Sequence, residues 1–148
     1  LLPLPMLVAG TDLIALVPLR LARRFEAGFD PAVTLPTADE QFRLPAGLVL
    51  LATLHDRPVG CVGLKLHADG VGEVKRLWVS SEVRGLGLAR RMLGRIEAEG
   101  SSRGIHTLRL DTNRALTEAI ALYRALGYRE IDAYNDEPYA HHWFEKRI

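Results

Sequence analysis

Residues 77–93 read LWVSSEVRGLGLARRML. A run of apolar and aromatic residues stops at Ser80, two glycines one residue apart follow at Gly85 and Gly87, and a basic, leucine-rich segment begins at once. A strand that feeds a glycine turn and then a helix aims unpaired backbone N–H groups into the turn, where the helix start carries roughly half a positive charge. Glycine suits such a place because a side chain would hold an anion away from those amides. Arg84 adds a cation at the mouth. Alone, the same residues also make a plain turn with a helix start, so the flanking chain has to decide.

Upstream the apolar pattern has the period of strands. GLVLLATL (47–54) and PVGCVGLKL (58–66), separated by a turn at HDRP, predict a hairpin, and HADG (67–70) supplies the next turn. GEVKRLWVS (72–80) reads as a third strand with Glu73, Lys75, Leu77 and Val79 on one face and Val74, Arg76 and Trp78 on the other. Downstream the period becomes helical. Leu88, Met92, Leu93 and Ile96 line one side of a helix that ends near Gly100, and HTLRLDT (106–112) is a short strand. Asn113 is placed to cap a second helix with the stripe Leu116, Ala119, Ile120, Tyr123 and Leu126, ended by Gly127. YREIDAY and HHWFEKRI close the chain as two strands around a polar, Pro-containing loop.

At the other end, LRLARRFEAGF (19–29) puts Leu21, Phe25 and Phe29 on one helical stripe, and the segment 30–47, with Pro31, Pro36 and Pro45, reads as a short helix or loop placed to cover a cleft. The order is helix, three strands, helix, strand, helix, two strands. It predicts an α+β domain with a mixed, mostly antiparallel sheet flanked by helices, in which the crossover at 72–112 sets two strands in parallel.

Composition narrows the function classes. A chain of 148 residues with 48% hydrophobic and 25% charged residues suits one domain with its own core. A formal net charge of +1 provides no global field for nucleic acid or an acidic membrane, and the flank Arg90, Arg91, Arg95 and Arg103 lacks interleaved aromatics. Cys61 is the single cysteine, which excludes an internal disulfide and suits a reducing, cytoplasmic setting. The apolar opening is interrupted by Pro3, Pro5, Asp12 and Pro18 and fits neither a signal peptide nor a membrane span; Leu1 in place of Met is consistent with a trimmed start. His141 and His142 are adjacent in a strand, point to opposite faces and cannot share one metal ion.

Two familiar phosphate motifs do not fit. The dinucleotide fingerprint wants a small residue where Arg90 stands and a strand that opens a βαβ unit, so Asp111, at the tempting distance for a ribose contact, is set aside. The NTPase loop needs a lysine that is absent. Arg84-x-x-Gly87-x-Ala89 instead resembles the R-x-x-G-x-A pyrophosphate signature of the GNAT superfamily of acyl-CoA-dependent N-acetyltransferases. A second block, LDTNRALTEAIALYRALGYREI (110–131), is similar to the later strand, helix with an inward tyrosine, and Gly-aromatic pair of that family. The resemblance runs from about residue 47 to 148; the family's first strand is not placed within 1–46.

The resemblance implies one N-acetyltransferase domain over 1–148, with a splayed parallel strand pair that admits the pantetheine arm of coenzyme A against the backbone of Leu77, Trp78 and Val79. The pyrophosphate would lie on the amides of Gly85, Leu86, Gly87, Leu88 and Ala89, with Arg84 or Arg90 nearby. Asn113 stands where the family often contacts the cofactor, or caps its helix, or does both. Glu73 is implied as the base that frees the amine, with an edge-of-strand acid as the alternative and Glu82 as second choice. A backbone N–H near Val79 would hold the thioester oxygen, and Tyr123, unless it is only a core aromatic, would protonate the leaving thiolate. Cys61, remote from both blocks, is not a nucleophile candidate.

The implied activity is transfer of an acetyl group from acetyl-CoA to a primary amine of a small molecule or peptide, directly within a ternary complex. It needs no metal, nucleic acid or membrane, and homodimers are frequent among similar proteins. A non-catalytic acyl-CoA-binding or sensing module and a nucleotide-binding domain stay open. The acceptor is expected between 19–46 and 134–140, where Glu26, Asp30, Asp136 and Glu137 are ammonium partners or surface decoration.

Overall fold

The computed structural model describes residues 4–5, 13–16 and 40–148; the helix expected at 19–29 and most of the Pro-rich segment lie outside the described residues. The strands are β1 (Leu4–Pro5), β2 (Leu13–Leu16), β3 (Gly47–Leu54), β4 (Arg57–Leu66), β5 (Val71–Val79), β6 (Thr107–Thr112), β7 (Arg129–Ile131) and β8 (His142–Arg147). The α-helices are α1 (Leu88–Ser102) and α2 (Thr117–Ala125), and short 3-10 turns sit at Glu40–Phe42 and Ser81–Val83. All eight strands join one sheet in the order β1-β2-β3-β4-β5-β6-β8-β7, antiparallel throughout except at β5–β6.

The hairpin predicted at 47–66 is present, and its turn tightens to two residues. His55 (φ 47°) and Asp56 (φ 62°) both adopt positive φ, which a two-residue turn needs if its twist is to match that of the flanking strands. β3 and β4 are the buried centre of the sheet, with Leu48, Leu50, Ala52, Val59, Val62 and Leu64 in the main apolar cluster. Alternation along β6 and β8 sends Leu108, Leu110 and Phe144 into the same cluster. Leu88, Met92, Leu93 and Ile96 from α1 and Ile120 and Tyr123 from α2 complete it, as their spacing predicted. α1 runs two residues past the expected stop at Gly100, which is buried within it; the left-handed residue that ends the helix is Gly104 (φ 82°). Gly127 (φ 87°) closes α2 in the same way.

Two expectations need correction. Asn113 does not cap α2: its Oδ1 accepts from the N–H of Ala115 and its carbonyl from Leu116, forming a separate turn, and α2 starts at Thr117. The simple alternation assigned to residues 72–80 also fails. On β4, Cys61 and Gly63 face Trp78 and Lys75 of β5, so β5 carries one residue more than its partner between those pairs. Arg76 absorbs the excess at φ 54°, a β-bulge. Val74 lies in the core before the bulge; after it the inward positions become Leu77 and Val79, which pack against the same cluster. Leu77 and Val79 therefore leave the face shared by Glu73 and Lys75. The carbonyl of Arg76 faces the Cys61 thiol at 3.6 Å.

The bulge and the parallel register together open the sheet. β5 and β6 pair only at Val71↔Thr107, Gly72↔Leu108 and Glu73↔Arg109. Beyond that, β5 continues to pair with β4 as far as Gly60↔Val79, and β6 stays paired with β8 as far as Thr112↔His142. The backbones of two central strands thus part in mid-sheet, as the splayed pair was expected to do.

Candidate functional site

The gap between β5 and β6 adjoins a cleft of about 670 Å³ bounded by the end of β5, the glycine loop and the start of α1, and the first turns of α2. Leu77 and Val79, brought inward by the bulge, form one wall, and Leu116, Ala119, Leu122 and Tyr123 form another. The loop supplies Arg84, Gly85, Gly87, Leu88, Ala89 and Arg90. Gly85 (φ 79°) and Gly87 (φ 82°) are both left-handed, and a Cβ at either would meet nothing within 4 Å, so backbone conformation and an open approach demand glycine here. Gly87 is the N-cap of α1; no side chain caps that end, and the first turn carries no acid. Its leading N–H groups have no side-chain cap, a geometry and dipole suited to an anion. Arg84 is tethered by its Nε to the Val79 carbonyl at 3.2 Å, which ties the cation to the end of β5.

Tyr123 lies at the inner end of the cleft. It is 6% exposed, its ring packs edge-on against Tyr128 and tilted against Phe144, and its hydroxyl has no hydrogen-bond partner among the described residues. Burial, with the Asp111 carboxylate adding to it, pushes the phenol up to about 12.

Other expected site residues are placed elsewhere. Trp78 and Leu86 do not line the cleft, although both are flanked by residues that do. Asn113 spends its side chain on Ala115 N–H and on the Tyr139 carbonyl, at 2.9 Å each, and so joins the start of α2 to the 132–141 loop. Glu82 pairs with Arg57 at 3.1 Å on the surface. Glu73 stands at the last position where β5 pairs with β6, on the sheet face opposite Val74, with its carboxylate 2.9 Å from His67 Nε2. That face also carries Lys75 of β5, Arg109 and Asp111 of β6, and Trp143 and Glu145 of β8, with Tyr134 and Asn135 of the 132–141 loop against them.

The group that sequence reasoning missed is this polar set centred on Asp111. Its only local signal was an acid alternating with Leu108 and Leu110 in a strand; the partners come from β5 and a loop far away in the chain. Burial raises the Asp111 carboxyl, but hydrogen bonds from Lys75 and Asn135, the Lys75 charge and Tyr139 outweigh it and hold the group below the usual carboxylate range. Among the acids considered for the acceptor, Asp136 is exposed and Glu137 half-buried, while Glu26 and Asp30 lie outside the described residues. Cys61 is buried and its thiol is pushed up to about 12 by that burial. No group of metal-ligating side chains occurs among the described residues, and His141 and His142 are engaged separately with Arg114 N–H and Glu130. No described helix is long and apolar enough to cross a membrane.

The chain matches known proteins in sequence and in fold. Residues 16–128 match the model of the Acetyltransferase (GNAT) family. An IAA acetyltransferase of Azospirillum brasilense is 38% identical over 82 residues, which is 55% of this chain and 54% of the relative. The chain thus spans about half the length of that curated relative. Among solved structures, the GNAT domain of S. lividans PAT superposes with a TM-score of 0.78 at 17% identity, covering 99% of this chain and 96% of that one. The PaiA N-acetyltransferase of Thermoplasma acidophilum, solved in complex with coenzyme A, superposes with a TM-score of 0.65 at 22% identity over 76% of this chain and 67% of that one. A family match across both the glycine loop and the Tyr123 helix, on a sheet split between its parallel strands, establishes that the chain belongs to the GNAT family of acetyltransferases.

Proposed function

We propose that residues 1–148 form one N-acetyltransferase domain that moves an acetyl group from acetyl-CoA to a primary amine of a small molecule or peptide, directly within a ternary complex. The observation that carries this reading is that one cleft joins an uncapped helix start with two left-handed glycines, the end of β5 beyond its pairing with β6 and a buried tyrosine. The amides of residues 85–89 receive the pyrophosphate, with Arg84 and Arg90 beside it. The pantetheine arm takes the place of β6 against the backbone of Leu77, Trp78 and Val79, where ladder partners on that side have ended.

In the transfer, the amine lone pair attacks the thioester carbonyl carbon, a C–N bond forms, the C–S bond breaks, and sulfur leaves with its electron pair. The carbonyl oxygen gains charge and is held by the backbone N–H near Val79. Tyr123 is the proton donor to sulfur. Its hydroxyl is protonated at neutral pH and has no described partner to give up before turning to the thiolate. A thiolate, whose conjugate thiol titrates near about 8.5, is too weak a base to take the proton outright, so the phenol donates a hydrogen bond to sulfur as charge develops, and the proton crosses only as the proton lost by the amine returns to the phenolate oxygen.

The amine must lose a proton. Glu73 serves as base from the opposite face through water; in support, it stands where the strands begin to part and its carboxylate is already oriented by His67. A cytoplasmic location fits the single buried thiol, and a homodimer is one assembly open to the chain.

Calorimetric titration with acetyl-CoA and with NAD, followed by thiol-release assays on amino acids, polyamines, aminoglycosides and peptide N-termini, tests the reading. Acetyl-CoA binding with thiol release on one amine class supports it. Binding with no release on any amine points to the acyl-CoA sensing module, and binding of NAD alone overturns the assignment.

A further inference from the structure

Asp111 has no place in the steps above, yet its carboxylate is buried and engaged by both Lys75 and Asn135. The register that pairs Glu73 with Arg109 would next oppose Lys75 to Asp111 on the same face. No backbone pairing occurs there; instead Lys75 Nζ reaches Asp111 Oδ2 at 2.5 Å, with the side chains 11% and 1% exposed. The same Oδ2 accepts from Asn135 Nδ2 at 2.9 Å, and Asn135 Oδ1 accepts from Trp143 Nε1 at 2.8 Å. One chain of contacts therefore crosses the gap from β5 to β6 and continues into the 132–141 loop and β8.

Stability does not explain a pair at this place. Burying two charges costs about as much as their attraction returns, and apolar residues of similar volume are commonly as stable or more so. An apolar pair would, however, be free to pack and draw the strands together, since paired strands lie about 4.7–4.9 Å apart. A long lysine arm bound to a short aspartate sets a fixed span instead, because neither charge can be left unpaired once buried. Lys75 is the last residue before the bulge at Arg76, so the span lies where the gap opens.

We propose that Asp111 is a positioning residue for the transfer reaction: braced against Lys75 it holds the β5–β6 gap open for the pantetheine arm, and through Asn135 it couples that gap to the 132–141 loop on the acceptor side. This rests on the cofactor reading of the cleft. The brace makes a requirement that a purely structural ion pair does not, namely that cofactor affinity and fold stability respond in different directions.

The test compares the native chain with Lys75→Met/Asp111→Leu and with Asn135→Ala, measuring urea unfolding and the calorimetric Kd for coenzyme A. The apolar pair should unfold at the same or higher urea while binding coenzyme A at least about 5-fold more weakly, within the usual range of site coupling. Asn135→Ala, which does not touch the cleft, should also weaken binding, by a smaller factor. Native affinity in the folded apolar variant overturns the proposal; if that variant does not fold, native affinity in Asn135→Ala does so. Failure of the native chain to bind coenzyme A would instead remove the cofactor reading beneath it.

Discussion

Gly87 and Gly94 lie seven residues apart at the start and in the middle of α1, both exposed, and a Cβ at either meets nothing within 4 Å. Replacing each with alanine should nevertheless change the protein in opposite directions. Gly94 has helical neighbours on both sides and no positive φ, so Gly94→Ala removes a poor helix former and should stabilise by about 0.5–1 kcal/mol. Gly87 is held at φ 82°, where an L-residue costs about 1–2 kcal/mol, so Gly87→Ala should destabilise by that amount. For a chain of this size, 1 kcal/mol corresponds to about 2–4 °C in Tm, and scanning calorimetry separates the two variants. The larger effect is on the cofactor. The new methyl projects into open space beside the helix N–H groups, where the pyrophosphate would rest. Losing one charge-assisted hydrogen bond costs about 1.5–3 kcal/mol, or roughly 10- to 150-fold in Kd. Gly94→Ala should bind coenzyme A as the native chain does. A folded Gly87→Ala with native affinity would refute the anion-cradle argument and leave the positive φ as the reason for the glycine.

Tyr123→Phe should lower kcat roughly 10²- to 10⁴-fold, the range for a lost general acid, with the Kd for coenzyme A and the urea midpoint unchanged, since the hydroxyl has no described partner to lose. An unchanged kcat would return Tyr123 to the core. All four tyrosines, Tyr123, Tyr128, Tyr134 and Tyr139, are raised above the ordinary value of 10.0, with burial the largest cause at each. Native protein at pH 10 to 11 should therefore show little tyrosinate absorbance, while the urea-unfolded chain shows about half at its midpoint near pH 10. Because the folded values are raised, this contribution to stability is complete below pH 10 and is lost as pH rises toward 12 and beyond; equal titration of both states would contradict the burial of the Tyr123 and Tyr128 rings. Cys61 should resist thiol reagents in the native state and react at once on unfolding, as a buried thiol pushed up to about 12 requires, and rapid native labelling would place it elsewhere.

Much of this molecule could be read in advance because the deciding forces were local. Helical and strand patterns placed β3, β4, α1, β6, α2 and β8 close to their observed limits, since α1, β6, α2 and β8 bury one face and repeat accordingly, while β3 and β4 are continuous apolar runs buried on both faces. The glycines of the loop were legible because positive φ leaves few other residues a choice. Asn113 was misplaced for a related reason: an Asx side chain can satisfy a turn as well as a helix end, and only the position of the following turn tells which. The faces of β5 could not be read beyond Lys75, because a bulge depends on the partner strand, and nothing between Val74 and Val79 declares that Cys61 and Gly63 lie opposite with one residue fewer.

From sequence alone came the order of elements from residue 47 onward, the glycine turn before α1 and the inward tyrosine, all properties of residues close together in the chain. The tertiary structure alone decided that β5 and β6 part after Glu73↔Arg109, that the bulge turns Leu77 and Val79 into a cleft wall, and that Lys75 meets Asp111 across the opening. Those depend on which distant backbone groups find partners and which do not. In a sheet that question is settled between strands, not within them.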